Sequence, residues 1–111
     1  MAEYAVVRFR VDGWHYWQGA AERQRAYLGN LHRHVFHVEV KLQVYHNDRE
    51  VEFHDLLDFC KMSFPGGNMG GISCEEMAEN LIMKMARQFG DERAGQVCVF
   101  EDGEVGAIVE F

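Results

Sequence analysis

From Arg33 to Tyr45 the chain alternates side-chain types with a period of two, a pattern that would smear apolar groups around a helix. His32, His34, Phe36, Val38, Val40, Leu42 and Val44 fall on one face; His37, Glu39, Lys41, Gln43 and Tyr45 fall on the other. Successive side chains of a strand leave opposite faces of its sheet, so the spacing predicts a long half-buried strand. A second alternation covers Ala5 to Asp12, with Ala5, Val7, Phe9 and Val11 opposite Arg8, Arg10 and Asp12. Gly13 to Asn30 lies between the two. This stretch is rich in Trp, Tyr, Arg and Gln and reads as a long connection with a short helical turn. A connection of that length inside a compact domain is often functional.

The rest of the chain changes period. After the turn residues His46-Asn47-Asp48-Arg49, the apolar side chains Phe53, Leu56, Leu57 and Cys60 recur at helical spacing and predict a short amphipathic helix. Phe64 to Gly71 holds the only proline and four of the glycines, which reads as a flexible loop. Ser73 and Glu76 form a capping-box pattern, followed by a buried stripe of Met77, Ala78, Leu81, Ile82, Met85 and Phe89, with Gly90 as C-cap. Two last strands, Gln96 to Glu101 and Gly106 to Phe111, are joined at Asp102-Gly103, a dipeptide suited to a hairpin turn. The order strand, strand, helix, helix, strand, strand predicts one α+β domain spanning residues 1–111. Its antiparallel sheet would be covered on one face by two helices.

Composition narrows the function. A chain that is 48% hydrophobic and 26% charged has the balance of a globular domain. Its net charge of −7 argues against binding nucleic acid through phosphate neutralisation. No apolar run reaches the length of a membrane span, and Met1 to Phe9 lacks the apolar core of a signal peptide. The expectation is a soluble, cytoplasmic protein without a membrane partner. Cys60, Cys74 and Cys98 are odd in number and widely spaced, which fits neither a disulfide framework nor a thiolate zinc site; Cys98 reads as a small buried hydrophobe. A core this small leaves apolar surface that oligomerisation would cover.

Histidine placement is the chemical signal. His32 and His34 leave the same face of one strand and can close on one metal ion. If the first strand continues regularly beyond Asp12, its parity carries His15 to that face too. Three histidines with a fourth position left open make the catalytic type of zinc site, although solvated or hydrogen-bonded histidines would look the same in sequence. His37 faces the other way, and His46 and His54 receive no role. Glu101 closes the row Val97-Val99-Glu101, either as a strand-end carboxylate in water or as an acceptor for something specific. Trp14, Tyr16 and Trp17 around His15 would wall a planar ligand or simply pack over the core. The glycines of 66–71 do not have the pattern of a phosphate-cradling loop.

Taken together, Leu31-His32-Arg33-His34-Val35-Phe36-His37-Val38-Glu39-Val40 resembles the H-x-H strand of the 6-pyruvoyl-tetrahydropterin synthases and the queuosine-pathway 6-carboxytetrahydropterin synthases. Phe9 to His15 resembles that family's first strand, ending in its first zinc histidine. Glu50 to Phe53 resembles the entry to its first helix, and Ser73-Cys74-Glu75 to Asn80-Leu81 the start of its second. Val99-Phe100-Glu101 is similar to the strand carrying its pterin-holding glutamate. The resemblance implies the tunnelling fold, in which ββααββ subunits assemble into a barrel of strands, as a hexamer. It implies Zn2+ on His15, His32 and His34, and Glu101 gripping the amide-and-amine edge of a pterin or purine-like ring.

In that family a cysteine serves as base and an Asp-His pair as proton relay. Here Leu28 stands where the cysteine is expected, and the segment carrying the pair is missing between Phe53 and Ser73. Two functions therefore compete, beside the blander reading of a small structural oligomer with a decayed site. One is a divergent zinc-dependent synthase or lyase acting on a dihydroneopterin triphosphate-type pterin, with His54, Tyr27 or Asp48 as a replacement base. The other is a catalytically silent pterin- or purine-binding module.

Overall fold

The computed structural model describes residues 1–111 and has the expected α+β class. Strand β1 runs over Glu3–His15 and β2 over His32–Val44; they pair antiparallel along their whole length, from Glu3 opposite Val44 to His15 opposite His32. Helix α1 spans Phe53–Ser63, the two-residue strand β3 is Gly67–Asn68, and α2 spans Cys74–Phe89. Strands β4 (Gly95–Glu101) and β5 (Val105–Glu110) complete a five-stranded sheet of order β3-β1-β2-β4-β5.

Alternation puts the core on one face of that sheet. Ala5, Val7 and Phe9 stand beside Leu42, Val40 and Val38, and these beside Val97 and Val99 of β4. The helices press Leu56, Cys60, Met77, Ala78, Leu81 and Met85 into the same cluster. The outer face remains in solvent, with Val6 and Ile108 about half exposed. Ser73 Oγ accepts from the Glu76 N–H at 3.1 Å and so caps α2, while the Glu52 carboxylate caps α1 through the Asp55 N–H. Asp102 and Gly103 both take positive φ (55° and 73°), as a tight hairpin requires.

Three expectations need correction. The sheet is mixed rather than antiparallel, because β3 lies parallel to β1 at Gly13 and Trp14. The glycine-rich segment is thus docked against the sheet: the Met69 N–H bonds the Trp14 carbonyl and the Asn68 side chain accepts from Gly70. Gly13 permits this approach, since a Cβ there would stand 2.5 Å from Met69 Cε and 3.0 Å from the Phe36 ring. Phe53, read as part of the buried stripe, is 61% exposed; at the first residue of α1 it lies beyond the edge of the sheet-facing cluster. The connection after β1 starts at Tyr16 instead of Gly13 and contains two 3₁₀ turns, Ala20–Arg23 and Ala26–Gly29. No helix is long and apolar enough to cross a membrane.

Candidate metal centre

At one end of the core face the apolar rows stop and histidines take over. Along β1 the row Ala5-Val7-Phe9-Val11 continues through Gly13 to His15. Along β2 the row from Leu42 back to Phe36 continues to His34 and His32. Regular pairing to the last residue of β1 sets His15 directly opposite His32, on the face that strand parity predicts. The rings of His15 and His34 stand on Phe36, which is fully buried and meets them edge-on at 5.3 and 5.6 Å. Their centroids are 4.6 to 5.2 Å apart, and one ligand nitrogen from each lies within 4.8 Å of the others.

Each ring is held through Nδ1. The Ile72 carbonyl takes His15 Nδ1–H at 2.9 Å, and the Asn30 carbonyl takes His32 Nδ1–H at 2.8 Å. His34 Nδ1–H goes to Asp102 Oδ2 at 2.7 Å. A carbonyl or carboxylate oxygen only accepts, so each Nδ1 must carry its hydrogen, and the neutral ring then presents Nε2 as a bare lone pair. The Nε2 atoms of His15 and His34 are buried and have no hydrogen-bond partner. Two orphaned buried acceptors are costly unless something bound there satisfies them. The donor set of three imidazoles suits zinc and other imidazole-preferring divalent ions.

Asp102 was legible only as a turn residue, yet it is the third ring's anchor. Its Oδ1 also accepts from the Val35 N–H, and these two bonds, the His34 one foremost, hold its carboxyl below the usual range. A carboxylate behind a ligating histidine fixes the ring and raises its basicity. Glu101 sits on the other side of the rings. Its carboxylate approaches His34 Nε2 at 3.1 Å and His15 Nε2 at 3.5 Å, and Cys74 Sγ donates to its Oε1 at 3.6 Å. Burial first, then the Glu101 charge, pushes the Cys74 thiol up to about 12.

A cleft of about 490 Å³ opens beside the histidines. His15, His32 and Glu101 line one side of it; Tyr16, Trp17 and Leu28 wall it, and Ser73, Cys74 and Glu75 bring the first turn of α2 to it. Trp14 does not line it, and neither do His54, Tyr27 or Asp48, the replacement bases considered from sequence. Asp48 lies near the far end of β1, beside Glu3 and Tyr4. Cys60 and Cys98 are buried free thiols away from the cleft. Compared with models of known protein families and with curated proteins, the chain matches none.

Proposed function

We propose that the chain is a zinc-dependent binder of a pterin- or purine-like small molecule, a divergent tunnelling-fold relation of the 6-pyruvoyl- and 6-carboxytetrahydropterin synthases. The observation that carries this reading is the convergence of His15, His32 and His34, each fixed through Nδ1, with the Nε2 atoms of His15 and His34 buried and unpartnered. The cleft supports it, being of small-molecule size and walled by aromatic and aliphatic groups. Zinc held by His15, His32 and His34 would supply a Lewis acid for an oxygen of the ligand. Glu101 borders both the cleft and the rings, where it can take the amide-and-amine edge of a planar ring. The reading carries with it a closed homo-oligomer, a hexamer by resemblance, in which the sheets of neighbouring subunits join into a barrel of strands.

One observation favours a silent binding module over a synthase. Leu28 lines the cleft where the family's cysteine is expected, and an aliphatic side chain takes no proton. Cys74, the one thiol on the cleft wall, stays protonated near neutral pH and is no base. Metal analysis of untagged protein tests the proposal: about one zinc per chain, lost in the His32→Ala, His34→Ala double variant, is the expected result. Metal-free wild-type protein would sink it. Pterins should then raise the melting temperature of the zinc form, and product from dihydroneopterin triphosphate would exclude the silent reading.

A further inference from the structure

We infer that Glu101 is the fourth ligand of the metal in the resting site, closing a three-histidine, one-carboxylate centre; this rests on the metal reading of His15, His32 and His34. Glu101 is the last residue of β4, paired with Phe36, so its side chain leaves the sheet on the histidine face. Its two oxygens approach two different ring nitrogens, Oε2 at 3.1 Å from His34 Nε2 and Oε1 at 3.5 Å from His15 Nε2. Atoms sharing one tetrahedral zinc at ~2.0–2.1 Å stand about 3.3–3.4 Å from each other, and the approaches to His34 and His15 lie within a few tenths of an ångström of that spacing.

The chemistry of the contact points the same way. With Nδ1 donating in both rings, each Nε2 is an acceptor, and a carboxylate oxygen is an acceptor too. Acceptors crowded this closely repel unless a cation lies among them. Neither approach has the geometry of a hydrogen bond, so both ring nitrogens remain unpartnered beside the carboxylate. Charge balance adds to this: three neutral imidazoles leave a dication uncompensated in a partly buried site, and Glu101 supplies a negative charge at the ion. The Cys74 thiol, donating to Oε1, steadies the carboxylate from behind. While Glu101 holds the metal it cannot hold a ring, so ligand capture and opening of the coordination position become one event.

Cobalt(II) substitution tests this without any ligand or activity. Apo-protein is loaded with cobalt, its visible spectrum is followed on adding millimolar azide, and zinc affinity is measured by chelator competition. Wild-type protein should show a four-coordinate spectrum that azide leaves unchanged. Glu101→Gln should bind both metals at least about tenfold more weakly, with a spectrum that shifts when azide enters the vacated position. Glu101→Asp keeps the charge but retracts it by one methylene, and should behave like Glu101→Gln; it also serves if the amide variant folds poorly. Unchanged affinity in both variants, or an azide response in wild type equal to theirs, overturns the assignment and leaves Glu101 as a neighbour of the metal. Failure of wild-type protein to bind cobalt or zinc any better than His15→Ala would instead refute the metal reading on which it rests.

Discussion

Asp102 carries two roles on one side chain: it turns the β4–β5 hairpin at φ 55° and anchors His34 Nδ1 at 2.7 Å. Asn tolerates the same left-handed backbone and can still accept from the Val35 N–H, so Asp102→Asn isolates the second role. It removes the charge behind His34 and should weaken zinc binding about 10–100-fold while leaving the melting temperature of the apo-protein nearly unchanged. Chelator competition on wild type and variant checks this; equal zinc affinities would mean that the carboxylate does not tune the ligand. The three histidines were legible because strand parity is a local rule, needing only that β1 stay regular to His15. The anchor of His34 was not, because it comes from a residue 68 positions away, across a sheet register that no local pattern specifies. The contact of Cys74 with Glu101 is equally non-local. Only the capped start of α2 lying against the end of β4 brings its thiol to Glu101.

At the scale of elements, the site depends on how the 64–71 segment lies against β1. Its glycines read as a flexible loop, and composition alone could say no more, since a strand of two residues has no period. What composition could not convey is that Gly13, Met69 and Phe36 interlock where the sheet passes from apolar to histidine residues. Phe36 is the floor under His15 and His34, so displacing it tilts both rings. Gly13→Ala forces a methyl against the end of Met69 and the edge of Phe36. Met69 Cε is the end of a flexible chain and can swing aside, so the cost falls on the buried Phe36 ring and should lie at the low end of overpacking, about 1 kcal/mol of stability, measured by urea denaturation of the apo-protein. Zinc affinity should fall with it. A Gly13→Ala protein as stable as wild type would show that β3 is free to lift off. The long strands and both helices, by contrast, were readable within a few residues, because each buries one face against the same core and so keeps a clean period.

The whole molecule is elongated, 49 × 24 × 21 Å, with the histidines at one end of the β1–β2 ladder and an ion-pair cluster at the other. There Arg93, following α2, gives two hydrogen bonds to the Glu50 carboxylate at 2.8 and 2.9 Å, and others to the Gln43 and Phe89 carbonyls. It also lies over the Tyr45 ring at 4.5 Å. One side chain thus ties the end of α2, the end of β2 and the turn before α1, which is why nothing local in sequence announced it. The Arg93 hydrogen bonds, helped by the Tyr45 N–H, lower the Glu50 carboxyl from 4.5 to about 2. A carboxyl depressed on folding contributes stability that is present above its unfolded value and lost as pH falls through its folded one. The chain should therefore lose stability progressively as pH drops from about 4.5 towards about 2, measured on the apo-protein. Arg93→Met keeps the aliphatic stem but strands Glu50, and should cost about 3 kcal/mol at neutral pH while flattening that acid limb in the apo-protein. Because the cluster and the histidines share no partners, zinc affinity measured well above the acid range should be unchanged. A variant that lost zinc along with stability would mean the two ends communicate through the ladder, and the chain would then behave as a single cooperative strut between them.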